Sequence, residues 1–368
     1  MRFPFENITW EEVERISCIA EENFSLLDRY FESGILTYKI DERPRLKESF
    51  QRFADEIRSM GYQPILRKES GGLLLRITLR PQARKESSLR FVVLLLATVT
   101  TVFLDGYWKS SSPVLKKVSF PYFSPITQAV IFTIAMFGII AFHELGHKIT
   151  LSKNKIDSSP PYFIPGIPGV IPTLGAVIMQ KEIPTNRDRL FDLGLSGPIL
   201  GLLVTIVVSI YAALNSPIIP QQRLMELFKD YGTPEFIHVP VLYSLIQRVV
   251  RPMSADEVML LDPITWAAIV GMLITFLNTM PAWQLDGGHM SRAILGPRLH
   301  RVATLMSIMF MALIGFVPMA LFVLFLWTLS RGRDPGPLDD YSSVSMGRKI
   351  LFILMLILAF LCVPLPFL

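Results

Sequence analysis

Beyond residue 90 the chain is built from long uncharged apolar runs, whereas the front segment mixes short apolar clusters with charges. The runs are 91–104 (continued toward an interfacial Trp108), 125–142, 190–215, 263–285, 302–329 and 350–368, and the only charge within them is Asp192. At about 20 residues per crossing they are long enough to span a bilayer, the first only marginally. The pattern predicts a polytopic α-helical membrane protein, with about six transmembrane helices over 89–368 and a small soluble α/β domain over 1–88. Gly315 and Pro318 interrupt the fifth run, so it either crosses once or folds back as a hairpin.

In the front segment, Val13, Ile16, Ala20, Phe24 and Leu27 recur at helical spacing behind Thr9 and Glu12, a capping-box pair. Residues 35–40, "ILTYKI", read as a strand. Pro44 opens a second helix whose Leu46, Phe50, Phe53 and Ile57 share one face, and Gly61 closes it. "YQPILR" and "LLLRITL" flank "KESGG" as a hairpin. The expected order is therefore α-β-α-β-β, a compact regulatory or structural domain without catalytic residues.

Composition agrees with this division. Half of the 368 residues are hydrophobic and 18% are charged, which is apolar for a soluble protein of this size. Residues 1–90 hold 16 of the 36 Lys and Arg and 15 of the 31 Asp and Glu. The net charge of +5 is scattered and locally balanced, so no nucleic-acid partner is expected. Cys18 and Cys362 stand at opposite ends of the chain and offer neither a thiolate metal site nor a disulfide framework. Residues 1–30 carry no sustained apolar stretch, so no cleavable signal peptide is expected, and their acids argue against a transit peptide.

Lys and Arg placement sets an expected orientation. Lys148, Lys153, Lys155, Lys181, Arg187 and Arg189 put the segment between the second and third runs in the cytoplasm, together with the N-terminal domain. The loop 216–262, with six acids and four bases, falls outside. Arg331, Arg333, Arg348 and Lys349 resist this scheme if 302–329 crosses only once.

The second run ends in "IIAFHELGHKIT", residues 139–150. An ionisable cluster in or near hydrocarbon costs several kcal/mol and is functional by default. His143 and His147 are four apart, so on a helix they point the same way and can share one cation, with Glu144 beside them to activate a water. The eighteen residues before His143 span about 27 Å of a roughly 30 Å core, which sets the site near the cytoplasmic edge but inside the bilayer. A catalytic zinc needs a third protein ligand and an open position. Asp286, at the end of the fourth run in "NTMPAWQLDGGHM" (278–290), reaches the same depth. Pro281 breaks that helix, and Gly287 and Gly288 permit tight turns. His289 is the alternative third ligand, and His238 lies on the wrong side.

Residues 160–182 carry Pro168 and Pro172, with Pro184 just beyond, and cannot form a continuous crossing. They read as a re-entrant hairpin whose free edge could receive an extended substrate by strand addition, or else as a surface loop. Gly194, Gly197 and Gly201 share a helical face and read as close helix packing.

"HELGH" on one apolar run, and Asn278, Pro281, Leu285, Asp286 and Gly287 on a later one, resemble the site-two protease family of intramembrane zinc metalloproteases. "PPYFIPGIPGVIPTLGAVIMQ" (160–180), "NRDRLFDLGLSGP" (186–198) and "RGRDPGPLDD" (331–340) are similar to its prokaryotic and plastid branch, with a single soluble N-terminal domain. No candidate PDZ insertion is found, and no regulatory domain is expected after the last run. The resemblance covers roughly 90–368. It implies one catalytic Zn2+ held by His143, His147 and Asp286, with Glu144 as general base. It also implies that Asn278 binds the oxyanion or orients substrate backbone; a polar residue satisfied inside the bundle is the alternative. The implied partners are a transmembrane protein substrate and the lipid bilayer, and the implied location is a prokaryotic cell membrane with the N-terminal domain and active site on the cytoplasmic side. Two rivals belong to other classes: a transporter or channel using the His/Glu/Asp cluster as a proton or metal path, and an inactive membrane scaffold.

Overall fold

The computed structural model describes residues 8–81, 87–119, 124–229, 232–332, 334 and 336–364. In the front segment, helix α1 (Trp10–Asn23) starts at a complete capping box, with Thr9 and Glu12 each accepting from the other's backbone N–H. Strands β1 (Leu26–Glu32) and β2 (Ile35–Ile40), helix α2 (Leu46–Arg58), and strands β3 (Tyr62–Glu69) and β4 (Gly72–Leu79) follow. The four strands form one antiparallel sheet in the order β1-β2-β4-β3. Ile16, Phe50, Phe53, Leu36, Tyr38 and Leu75 form its fully buried core. The order is α-β-β-α-β-β, so the expectation of a single strand between the helices missed β1. Phe24 carries the helical spacing past the helix end because its ring packs edge-on against Phe53 from an extended backbone. Leu27 is exposed on the edge strand.

The rest is mostly helical: α3 (Ser88–Ser110), α4 (Pro113–Ser119), α5 (Pro125–Lys153), then the hairpin strands β5 (Tyr162–Ile167) and β6 (Ile171–Val177), then α6 (Arg187–Asn215). Beyond these come β7 (Ile218–Pro220), α7 (Gln221–Phe228), α8 (Val241–Val250), β8 (Glu257–Met259), α9 (Pro263–Thr279), α10 (Asp286–Leu313), α11 (Val317–Leu329) and α12 (Met346–Leu361). Among the described residues, α3, α5 and α6 are long and apolar enough to cross a membrane; α9 and α11 are shorter apolar helices of 17 and 13 residues. Phe132, Met136, Ala267, Met272 and Phe276 fill the core where α5 meets α9.

The run 302–329 is not one helix. Gly315 takes φ +95° and Pro318 opens α11, which packs back on α10. The end of α11 returns to the turn before α10, where Trp283 donates from Nε1 to Ser330 Oγ at 3.1 Å and from its backbone N–H to Thr304 at 3.0 Å. That reversal brings the described residues after 334 to the same end of the bundle as Arg187 and Arg292, both of which pair with Asp340, while Arg348 pairs with Asp188. Arg333 lies outside the described residues.

A polar seam joins this end to the N-terminal sheet. Leu66 of β3 donates to Leu338 O at 2.9 Å, Leu338 donates to Pro184 O at 2.9 Å, and Asp339 donates to Thr185 O at 2.8 Å. Arg58 and Arg80 both pair with Glu182, at the root of the β5–β6 hairpin. Arg292 makes two bonds to Asp340, 3.0 and 2.7 Å long, and Arg187 adds a third at 3.0 Å. Burial alone would raise the Asp340 carboxyl, but the Arg292 hydrogen bonds and the nearby Arg187 and Arg67 charges hold it below the usual carboxylate range. Asp340→Ala leaves the almost fully buried Arg292 side chain short of its main partner. We expect it to destabilise the protein by about 3 kcal/mol, measured as a lowered unfolding midpoint in detergent. Because the folded pKa is depressed, the wild-type contribution is fully present above a pH of about 4 and is lost as pH falls through the folded value. Asp340→Asn should flatten that acid limb.

Candidate metal centre

His143 and His147 sit on the inner turns of α5, one helical turn apart, and their Nε2 atoms lie 3.2 Å from each other. His147 Nδ1 lies 3.0 Å from Leu193 O on α6. A carbonyl can only accept, so Nδ1 carries the proton and Nε2 presents a lone pair to the centre. Asp286 closes the triangle, with Oδ2 3.1 Å from His143 Nε2 and Oδ1 3.3 Å from His147 Nε2. Asp286 Oδ2 is buried without a hydrogen-bond partner.

Acceptor atoms packed this closely repel unless a cation lies among them. The three donors lie within 4.8 Å of one another, and their separations match the roughly 3.3 Å between ligand atoms around a tetrahedral zinc with bonds of about 2.0–2.1 Å. The donor set, two imidazoles and one carboxylate, also suits that ion. The residues therefore fit a single zinc.

Asp286 arrives differently from its sequence expectation. The fourth run stops being helical at Thr279, and Asp286 is the first residue of α10 rather than the end of α9. Met280, Pro281 and Trp283 (φ +43°) make a tight turn between the two helices. Gly287 and Gly288 lie directly against the Thr279 and Trp283 carbonyls, where a side chain has no room. Asn278, on the last turn of α9, points its amide at the centre, 3.4 Å from His143 Nε2. Glu144 is buried and lines the same cavity, of about 290 Å³, with His143, His147, Asp286 and Asn278. Ala176, Val177, Ile178 and Gln180, at the end of β6 and just past it, form one wall of the cavity. The β5–β6 sheet has two strands, so among the described residues β6 is paired on one edge only.

His289 lines the cavity one turn along α10 but is not among the three converging donors. His300 hydrogen-bonds Ser291 Oγ at 2.8 Å, and His238 is exposed. The glycine stripe on α6 does more than pack helices. Gly197 faces the His147 ring, Gly201 faces His143, and Gly194 faces the Asp286 carbonyl. Their spacing was visible in the sequence, but nothing there tied it to the candidate metal ligands. A methyl at Gly197 would overlap the His147 imidazole, whereas one at Gly201 would meet the His143 Nδ1 at 3.1 Å. Gly197→Ala should therefore weaken zinc affinity about tenfold or more, with Gly201→Ala less affected. A competitive zinc titration of the purified variants measures this.

Residues 131–322 match the profile of peptidase family M50. The chain is 26% identical over 241 residues to the probable zinc metalloprotease EGY2, chloroplastic, of Arabidopsis thaliana, a match covering 62% of this chain and 40% of that protein. The probable zinc metalloprotease EGY1, chloroplastic, of the same plant is 27% identical over 241 residues, 61% of this chain and 40% of the relative. The rice (Oryza sativa subsp. japonica) protein named probable zinc metalloprotease EGY3, chloroplastic, is 23% identical over 218 residues, 55% and 36%. The chain thus spans about two-fifths of the length of the curated relatives it matches. No solved structure matches it.

Proposed function

The chain belongs to peptidase family M50, the site-2 protease family, and on that premise we propose that it is a zinc endopeptidase that cuts a membrane protein within or beside a transmembrane segment. The observation that carries this reading is the convergence of His143, His147 and Asp286 at one end of the cavity that Glu144 also lines.

In this reading His143, His147 and Asp286 hold one zinc. When bound, zinc supplies Lewis-acid polarisation of the scissile carbonyl and lowers the pKa of a water in the cavity. Glu144 takes a proton from the attacking water at its carboxylate and returns it to the leaving amine nitrogen. Asn278 offers its Nδ2 donor to the developing oxyanion or to substrate backbone. Leu193 O keeps the His147 proton on Nδ1, away from the metal side.

A transmembrane helix hides its carbonyls in its own hydrogen bonds, so cleavage requires local unwinding. The freed backbone groups then need partners in a place without bulk water. The unpaired edge of β6 offers a row of such groups beside the cavity, and strand addition there would hold the peptide extended across Glu144. The three described helices long and apolar enough to cross and the family support a membrane setting; about six crossings, with the hairpin dipping among them, belong to the proposal. The seam between β3, residues 338–340 and the hairpin root argues for the N-terminal domain lying on the same side as the site. The matched relatives are chloroplastic, so the prokaryotic cell membrane expected from the sequence gains no support from them.

Purified full-length protein in lipid vesicles should carry one zinc per chain and cleave single-pass membrane substrates. A chelator should stop cleavage and added zinc restore it. Cleavage that persists in fully metal-free protein would sink the reading.

A further inference from the structure

Asp105 has no part in the metal centre, yet it is a fully buried carboxylate on α3, in a helix otherwise long and apolar enough to cross a membrane. Such a group demands partners. Lys109, one turn on, donates to one carboxylate oxygen. The other oxygen accepts from the backbone N–H of Gly169 at 2.7 Å. Gly169 is the third residue of the turn between β5 and β6, which is closed by Val170 N–H donating to Ile167 O at 3.0 Å. With Pro168 before it and φ +85°, Gly169 has the signature of a type II turn. In that turn the third residue's N–H points away from the turn and needs an outside acceptor. The same face of α3 supplies two further contacts at helical spacing: Thr101 donates to Pro172 O at 3.2 Å, and the Trp108 ring lies against Gly169. The other end of the hairpin is pinned separately, by the Arg58 and Arg80 pairs to Glu182.

We propose that Asp105 is a positioning residue for proteolysis: by capturing the Gly169 N–H it fixes the far end of the β5–β6 hairpin on α3 and so sets where the β6 edge runs past the metal centre. The carboxylate touches neither metal ligands nor the cavity, so its effect reaches the reaction only through the strand. A free hairpin tip lets β6 pivot about its root, and the extended substrate loses a preorganised edge before it loses any catalytic group. This inference rests on reading β6 as the substrate-binding edge.

The test compares full-length wild type, Asp105→Leu, and the double variant Asp105→Asn with Lys109→Met in lipid vesicles. The double variant keeps an amide oxygen facing Gly169 but removes the ion pair. Hydrogen exchange of residues 162–177 reads the hairpin without reference to cleavage. Asp105→Leu should speed it about tenfold or more while residues 139–150 stay protected and zinc stays at one per chain. In cleavage assays its KM should rise about tenfold with kcat within about threefold, and the double variant should stay near wild type on both readouts. Unchanged hairpin exchange in Asp105→Leu overturns the tether. So does a double variant as loose as the leucine variant, which would assign the effect to the Lys109 ion pair. A loosened hairpin with unchanged KM overturns the positioning role. A wild type that cleaves nothing, with exchange still responding, refutes the protease reading and the positioning role built on it, leaving only the tether.

Discussion

Glu144→Gln is expected to leave zinc binding intact and to lower kcat by about a thousandfold or more, within the range of about a hundredfold to ten-thousandfold that one general base contributes. The substitution keeps the volume of the side chain and removes only its ability to accept and return a proton. Glu144 is not among the three converging donors, so the metal stoichiometry and the zinc-dependent gain in thermal stability should be those of the wild type. Glu144 is nonetheless buried in the wall of the same cavity, where a carboxylate with no chemical role would cost several kcal/mol to desolvate. The paired measurement separates the two readings of this residue. A glutamine variant that still cleaves at the wild-type rate would leave Glu144 as a tolerated polar group and would move the search for the base to Asn278's neighbours. One that loses zinc as well would make Glu144 a structural support for the histidines.

The parts of this molecule that were legible in the sequence are those governed by short-range periodicity. The four-residue spacing of His143 and His147 predicts a shared helical face, and α5 supplies one. The Thr9–Glu12 box marks the start of α1 because capping is a local hydrogen-bond exchange. Reading failed where distant contacts decide the conformation. Phe24 continued a helical pattern only because its ring reaches Phe53 from an extended backbone, and β1 was lost with it. Gly315 and Pro318 marked 302–329 as a single crossing or a hairpin, but apolarity could not choose between them, since both halves are hydrophobic and the reversal is fixed by contacts such as Trp283 to Ser330. The α6 glycines were visible as a stripe, but their meaning depends on which ring lies opposite, and that is set by how α5 crosses α6. Asp105 is the sharpest case. In the sequence it is an ordinary charge at the end of an apolar run, and only the folded hairpin provides the N–H that makes it necessary.

Asp286→Ala is expected to lose zinc by about a hundredfold or more in affinity, whereas His289→Ala should stay within about threefold of wild type. The two residues are three apart on the first turn of α10 and face the same cavity, so spacing does not choose between them. Geometry does. Both Asp286 oxygens lie about as far from an imidazole Nε2 as the two Nε2 atoms lie from each other, 3.1 and 3.3 Å against 3.2 Å, and one of those oxygens has no hydrogen-bond donor. A carboxylate held among lone pairs in this way is stabilised only by positive charge. The alanine variant keeps two neutral ligands and loses the one negative group that offsets the ion's charge, so the residual site should bind weakly and without selectivity for zinc. Thermal unfolding gives a second readout. A ligand that binds only the native state stabilises wild type by about 2.7 kcal/mol when present at a hundred times its dissociation constant, and that zinc-dependent shift should vanish in Asp286→Ala and persist in His289→Ala. The reverse pattern would hand the third ligand position to His289 and would require α10 to turn by about one residue about its axis, carrying Gly287 and Gly288 off the Thr279 and Trp283 carbonyls that they now fit against.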